Sequence, residues 1–196
     1  MKKLLLILAL SMFSFANAQK GTILVSGNIS YNSQKSGDSG SSSQIKNFNF
    51  SPKMGYQYND NWTLGVESSV NSYKYGYENS QELNNNKFLV GGFLRYSKTL
   101  SEIFSVYADL GVGYQYVKYW NITGDNSTLS KTKENGYYIG ITPAIYLNLK
   151  KNFGLNFNIG GLGYDTLNNT TNNGTDTKSF NFSFGQAFSV GISKNF

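Results

Sequence analysis

The chain has no cysteine and no histidine, and only 2 prolines among 196 residues. Without cysteine there is neither a disulfide framework nor a thiol to carry a lipid anchor after export. Without histidine, Ser-His hydrolysis and histidine-based metal sites are excluded. Charge is sparse at 14% and aromatics are abundant at 16%, a balance that argues against disorder. The basic excess of +6 is scattered, too diffuse to mark a nucleic-acid surface. Walker and dinucleotide fingerprints are also lacking: Gly111-Val112-Gly113 and Gly160-Gly161-Leu162-Gly163 fall inside strand-like segments, not at a strand-to-helix turn. After Phe15 no continuous apolar run is long enough for a helical membrane span, so any insertion into a bilayer must be made by strands.

The N-terminus has the organisation of a secretory signal. Lys2 and Lys3 precede an apolar stretch from Leu4 to Phe15, and Ala16-Asn17-Ala18 is a small-x-small cleavage site. The expected division is therefore a signal peptide over 1–18 and one domain over 19–196. Losing Lys2 and Lys3 lowers the formal charge from +6 to +4.

What the chain does have is alternation. From Phe48 to Tyr58 every even position is apolar, aromatic or proline, and every odd position is polar, charged or glycine. A period of two means a strand with a different solvent on each face. The bulk lies on the outward face and the polar residues face inward, which only a membrane rewards. Eight such segments are read, at about 22–31, 47–58, 62–75, 87–97, 103–117, 137–149, 153–164 and 180–196. In the seventh, Leu155, Phe157 and Ile159 are placed outward. In the eighth, Gln186 falls on the outward face, so either a bulge near Gly185 shifts the phase or one amide is tolerated there.

The connections alternate in length. Those at 59–61, 98–102 and 150–152 are tight, and those at 32–46, 76–86, 118–136 and 165–179 are long and polar. Short turns on one rim and long loops on the other predict an all-β, closed, eight-stranded antiparallel up-and-down transmembrane barrel, with both chain ends on the short-turn side. Tyr58, Trp62, Tyr96 and Phe104 sit near the short turns, and Tyr114, Tyr116 and Tyr137 near the long loops, as two interfacial girdles.

The signal sequence, the eight alternating strands and the ending Phe188-x-Val190-x-Ile192-x-Lys194-x-Phe196 together resemble the small outer-membrane barrel superfamily of the OmpA/OmpX type. Lys194 departs from the pattern, which usually has an aromatic or aliphatic residue there. The resemblance implies an outer-membrane location with periplasmic chain ends and extracellular loops. It implies that Phe188, Val190, Ile192 and Phe196 form the signal recognised by the barrel-assembly machinery. It also implies outer-membrane lipids and lipopolysaccharide as partners, a monomer, no cofactor and no nucleic acid. The superfamily's lipid A-modifying enzymes use histidine-dependent chemistry, which this chain does not resemble.

The inward face carries a charge cluster, Lys53, Glu67, Arg95 and Asp109. If Tyr58 pairs with Trp62, Lys53 lies opposite Glu67; if Tyr75 pairs with Lys87, Glu67 lies opposite Arg95. Glu67 would then sit between two cations, with Asp109 higher up. An eight-stranded barrel is just wide enough for side chains to fill. The expected role is a polar plug in a non-enzymatic structural or surface-presenting protein; the alternative is a gate in a narrow porin-like channel, or a transporter for small or hydrophobic molecules.

Overall fold

A computed structural model describes residues 21–38, 41–77, 81–123, 128–150, 153–170 and 176–196. The proposed signal peptide lies outside the described residues. The chain forms eight strands: β1 (Ile23–Asp38), β2 (Ser41–Gln57), β3 (Trp62–Tyr77), β4 (Gln81–Thr99), β5 (Phe104–Thr123), β6 (Thr128–Lys150), β7 (Phe153–Asn169) and β8 (Thr177–Asn195). Each pairs antiparallel with the next, and β1 meets β8 to close a barrel.

The burial pattern is inside out relative to a soluble barrel. Arg95, Asp109, Gln115, Asn156 and Ser193 are buried in the lumen, while Ile29, Leu64, Val66, Val112, Phe182 and Ile192 are exposed on the outer wall. Strand alternation makes this arrangement, and an apolar solvent stabilises it. A lipocalin-like barrel would have the reverse polarity.

The strands run well past the boundaries expected from sequence, and the four segments read as long loops are largely ladder. Tyr75 pairs with Leu83, Asn32 with Asn47, Lys118 with Lys133, and Thr166 with Lys178. Outside a membrane both faces of a hairpin meet water, so the strand continues while the apolar alternation stops. Periodicity therefore reports where the lipid ends, not where the strand ends.

Closure lies at the short-turn end. β1 and β8 share four ladder pairs, Leu24 to Gly27 with Asn195 to Ile192. Ile23 and Phe196 extend the seam by exchanging both backbone hydrogen bonds, at 3.1 and 3.0 Å. Gly191 belongs to this seam because a Cβ there would collide with the Asn28 carboxamide.

The seventh strand changes phase midway. Leu155 and Phe157 pair with the outward Ile192 and Val190, whereas farther up Leu162 and Tyr164 pair with the outward Phe182 and Phe180. Outward positions thus pass from odd to even. Against β6, the stretch Asn158 to Leu162 faces Ala144 to Ile141, one residue more on β7 than on β6. Pro143, which has no amide hydrogen to give, lies within this bulge, where a proline is accommodated. Gly160, at φ 124°, supplies the backbone conformation. Between β7 and β8 a second irregularity separates the pairs Asn158–Ser189 and Gly160–Phe184, with Gly185 at φ 73°. The side chains of Gln186 and Phe188 lie outside the described residues.

Candidate functional site

The lumen is crossed by an ordered chain of charges from β2, β3, β4 and β5. Lys53 Nζ lies 2.7 Å from Glu67 Oε2 and 2.9 Å from Asp109 Oδ2. Arg95 donates from Nε to Asp109 Oδ1 at 2.6 Å and from Nη2 to Oδ2 at 3.0 Å. Tyr138 on β6 donates its hydroxyl to Glu67 Oε1 at 2.7 Å. The sequence along the chain is therefore Tyr138, Glu67, Lys53, Asp109, Arg95, in which each charge touches one of opposite sign.

Aromatic faces complete the solvation of the cations. The Arg95 guanidinium stacks 3.7 Å from the Tyr107 ring centroid, and Phe93 lies between the cations, 5.2 Å from Lys53 Nζ and 5.8 Å from the Arg95 guanidinium carbon. Phe93 is 1% exposed and Asp109 4%, so these contacts are made away from water. Charges in such a place persist only when paired and hydrogen-bonded.

Inward glycines make the room. Gly65 and Gly111 flank Phe93 on the neighbouring strands, and Gly91 and Gly113 face each other beneath Tyr138. A Cβ on Gly91 or Gly113 would strike both the opposing backbone and the Tyr138 side chain.

The structure brings together all four charges expected from sequence, in a different order. Lys53 does lie opposite Glu67. Glu67, however, faces Gly91 on β4, and Arg95 faces Thr63. Arg95 is directly opposite Asp109 instead. The carboxylate between two cations is thus Asp109, at the level of Arg95, and not Glu67. The error came from counting register across 76–86 as an open loop, when β3 and β4 pair nearly to its tip. Tyr107, Tyr138 and Phe93 were missed; for Phe93 and Tyr138 the signal is an inward-phase aromatic beside inward-phase glycines on adjacent strands, whereas Tyr107, between Ser97 and Ala144, carries none.

Small cavities lie along the lumen. One of about 110 Å³, toward the short turns, is lined by Gln57, Thr63, Ser97 and Tyr146 together with Arg95 and Tyr107. A second of about 50 Å³ is lined by Ser26, Lys53, Asp109 and Asn156, again with Arg95 and Tyr107. A third of about 440 Å³ lies against Tyr138, Asp165, Asn181 and Ser183 and shares Thr142 and Asn158 with the second. The stacked pair Arg95–Tyr107 stands between the first two. Among the described residues, no group of three His, Cys, Asp or Glu side chains is placed to hold a metal ion.

The remaining expected residues occupy the wall. Trp62 and Tyr96 pair edge to face at 4.9 Å near the short turns, and Tyr114 and Tyr137 at 5.8 Å toward the other rim. Tyr58 and Phe104 are exposed, and Tyr116 is half-buried. At the C-terminus Val190 and Ile192 point outward, and Lys194 Nζ lies 4.4 Å from the Phe196 ring centroid, covering its own departure from the apolar pattern.

The model of the outer membrane protein beta-barrel domain family matches residues 4–188. No curated protein matches the chain. Among solved structures, a major outer membrane protein from Thermus thermophilus is similar with a TM-score of 0.51 at 12% identity, covering 91% of this chain and 100% of that one. OprG from Pseudomonas aeruginosa aligns with a TM-score of 0.49 at 12% identity over 92% and 98% of the two chains. Ail from Yersinia pestis aligns with 0.46 at 16% identity over 91% and 100%. At such identities the likeness speaks for fold alone, and the first of the three carries it.

Proposed function

Because the chain belongs to the outer membrane protein beta-barrel domain family, we propose that it is a non-enzymatic barrel that keeps its lumen closed and presents its long hairpins outside the cell. The observation that carries this reading is the charge chain itself. Its carboxylates are engaged by Lys53, Arg95 and Tyr138, and its most buried link, Arg95–Asp109, is bidentate. Such a network fixes side chains across a narrow lumen and leaves no carboxylate poised for acid-base work. In this reading Lys53, Glu67, Arg95 and Asp109 are a plug. The aromatic pairs at the two rims are interfacial girdles. Residues 1–18 are removed on export, the chain ends are periplasmic, and Phe188, Val190, Ile192 and Phe196 are read by the assembly machinery. Outer-membrane lipids and lipopolysaccharide surround a monomer.

A narrow channel is the second reading, favoured by the cavities on either side of Arg95–Tyr107. There the stack is a gate, not a fixed wall.

The absence of native cysteine gives a clean test of presentation. Ser36→Cys and Asp176→Cys on the long hairpins should react with an impermeant maleimide on intact cells, while Asn59→Cys and Ser101→Cys on the short turns should react only after the outer membrane is opened. The reverse pattern, or labelling of neither hairpin, would remove the proposal.

A further inference from the structure

We propose that the outer wall carries two matched binding sites for the phosphate of a lipid headgroup, one at Lys46 and Lys74 and the other at Lys118 and Lys133. The ladder sets Lys46 directly opposite Lys74, and Lys118 directly opposite Lys133. All four point away from the lumen, in phase with the exposed Phe48, Val70, Tyr114 and Tyr137 on their own strands. Side chains directly opposite on one face have Cβ atoms roughly 4.5–5.5 Å apart, and like charges there destabilise the pair. Scattered solvated lysines avoid such positions; this barrel makes the juxtaposition twice on one rim. Among the described residues, none of the four is ion-paired to a carboxylate. A shared anion turns each repulsion into a clamp.

The depth of the pairs identifies the anion's carrier. Two residues toward the bilayer from the first pair, on the same face, lies Phe48 opposite Ser72, and two residues below the second lies Tyr116 opposite Asn135. Each site therefore has the same make-up: two ammonium groups, one aromatic ring and one hydrogen-bonding side chain, above a lipid-facing wall. Lys118 Nζ lies 5.3 Å from the Tyr116 ring centroid, so this side chain folds down toward the apolar band. A phosphate attached to acyl chains satisfies both levels, its charge between the lysines and its chains along the wall. A free phosphate engages only the upper level.

The proposal rests on the membrane-spanning reading and is independent of whether the lumen is closed. Native mass spectrometry of the refolded chain, released from phosphatidylcholine nanodiscs doped with diphosphorylated lipid A, counts the bound lipid. The wild type should retain two lipid A molecules. Lys46→Gln/Lys74→Gln and Lys118→Gln/Lys133→Gln should each retain one and the quadruple variant none. Affinity at the altered site should fall roughly thirtyfold, since each lysine near an anionic surface contributes about fivefold. The matching Lys→Arg pairs should retain both lipids, and dephosphorylated lipid A should not be retained. Heat-modifiable gel mobility reads folding and insertion of each variant separately. Equal retention by all variants, or equal retention of dephosphorylated lipid A, would overturn the proposal. Displacement of lipid A by inorganic phosphate alone would overturn the assignment to a lipid.

Discussion

Replacing Asp109 with alanine removes the group on which the lumen network turns. Its two oxygens take one hydrogen bond from Lys53 and two from Arg95. Arg95 is 6% exposed, so after the substitution its guanidinium stays largely out of water, against the Tyr107 and Phe93 rings and with its carboxylate partner gone. Stripping one partner from a buried pair destabilises by about 3–5 kcal/mol. The other end of the network should respond less. The Lys53 side chain keeps 24% of its exposure, so Lys53→Met should lose about 1–2 kcal/mol, water taking up part of the lost interaction. Removing both buried charges, as Arg95→Met/Asp109→Leu, leaves no orphan and should restore stability to within about 1 kcal/mol of wild type. The assay is urea unfolding of the inserted barrel, followed by the fluorescence of Trp62 and Trp120 and by gel mobility. If Asp109→Ala unfolds within about 0.5 kcal/mol of wild type, or Arg95→Met/Asp109→Leu loses the sum of what Arg95→Met and Asp109→Leu lose singly, the reasoning fails.

Other outcomes follow from the backbone. Gly65→Ala pushes a Cβ into the Met54 carbonyl and the Phe93 ring; overpacking of this kind should lower stability by about 1–3 kcal/mol in the same urea assay. Gly160→Ala places a side chain at φ 124° against the Ser183 carbonyl, and should destabilise by about 1–3 kcal/mol while Gly163→Ala, 3.7 Å from its nearest atom, changes little. Tyr138→Phe deletes one hydrogen bond to Glu67 and should cost about 1–2 kcal/mol, with the fold unchanged by circular dichroism.

The barrel is legible from sequence because a membrane imposes a physical rule on every wall residue. Phe48 to Tyr58 could be read position by position, and the pairing of Lys53 with Glu67 followed from the tight turn at Asn59 to Asn61. That turn is fixed locally, since Asn59 Oδ1 accepts from the amides of Asn61 and Trp62, at 2.9 Å each. Register across the long hairpins had no such anchor. Residues 76–86 carry no apolar period in the sequence, so nothing there marks how far β3 and β4 stay paired, and Arg95 was set against Glu67 when its partner is Asp109. The phase change in β7 was hidden for a related reason. Gly160 and Gly161 have no side chain to show which way they point, so Leu162 and Tyr164 do not register as wall in the sequence pattern. The inward aromatics Phe93 and Tyr138 fold over glycines that only the register brings beside them, which alternation along a single strand does not reveal.

The claim that the lumen is closed by this network is tested most directly by single-channel recording of the refolded chain in a planar bilayer. Insertion is verified by heat-modifiable mobility, and Arg95→Ala/Tyr107→Ala is recorded alongside. The wild type should be silent, and the double variant, in which the wall between the two lower cavities is gone, should show discrete openings. Discrete openings in the wild type would contradict the plug and make Arg95–Tyr107 the gate of a conducting pore.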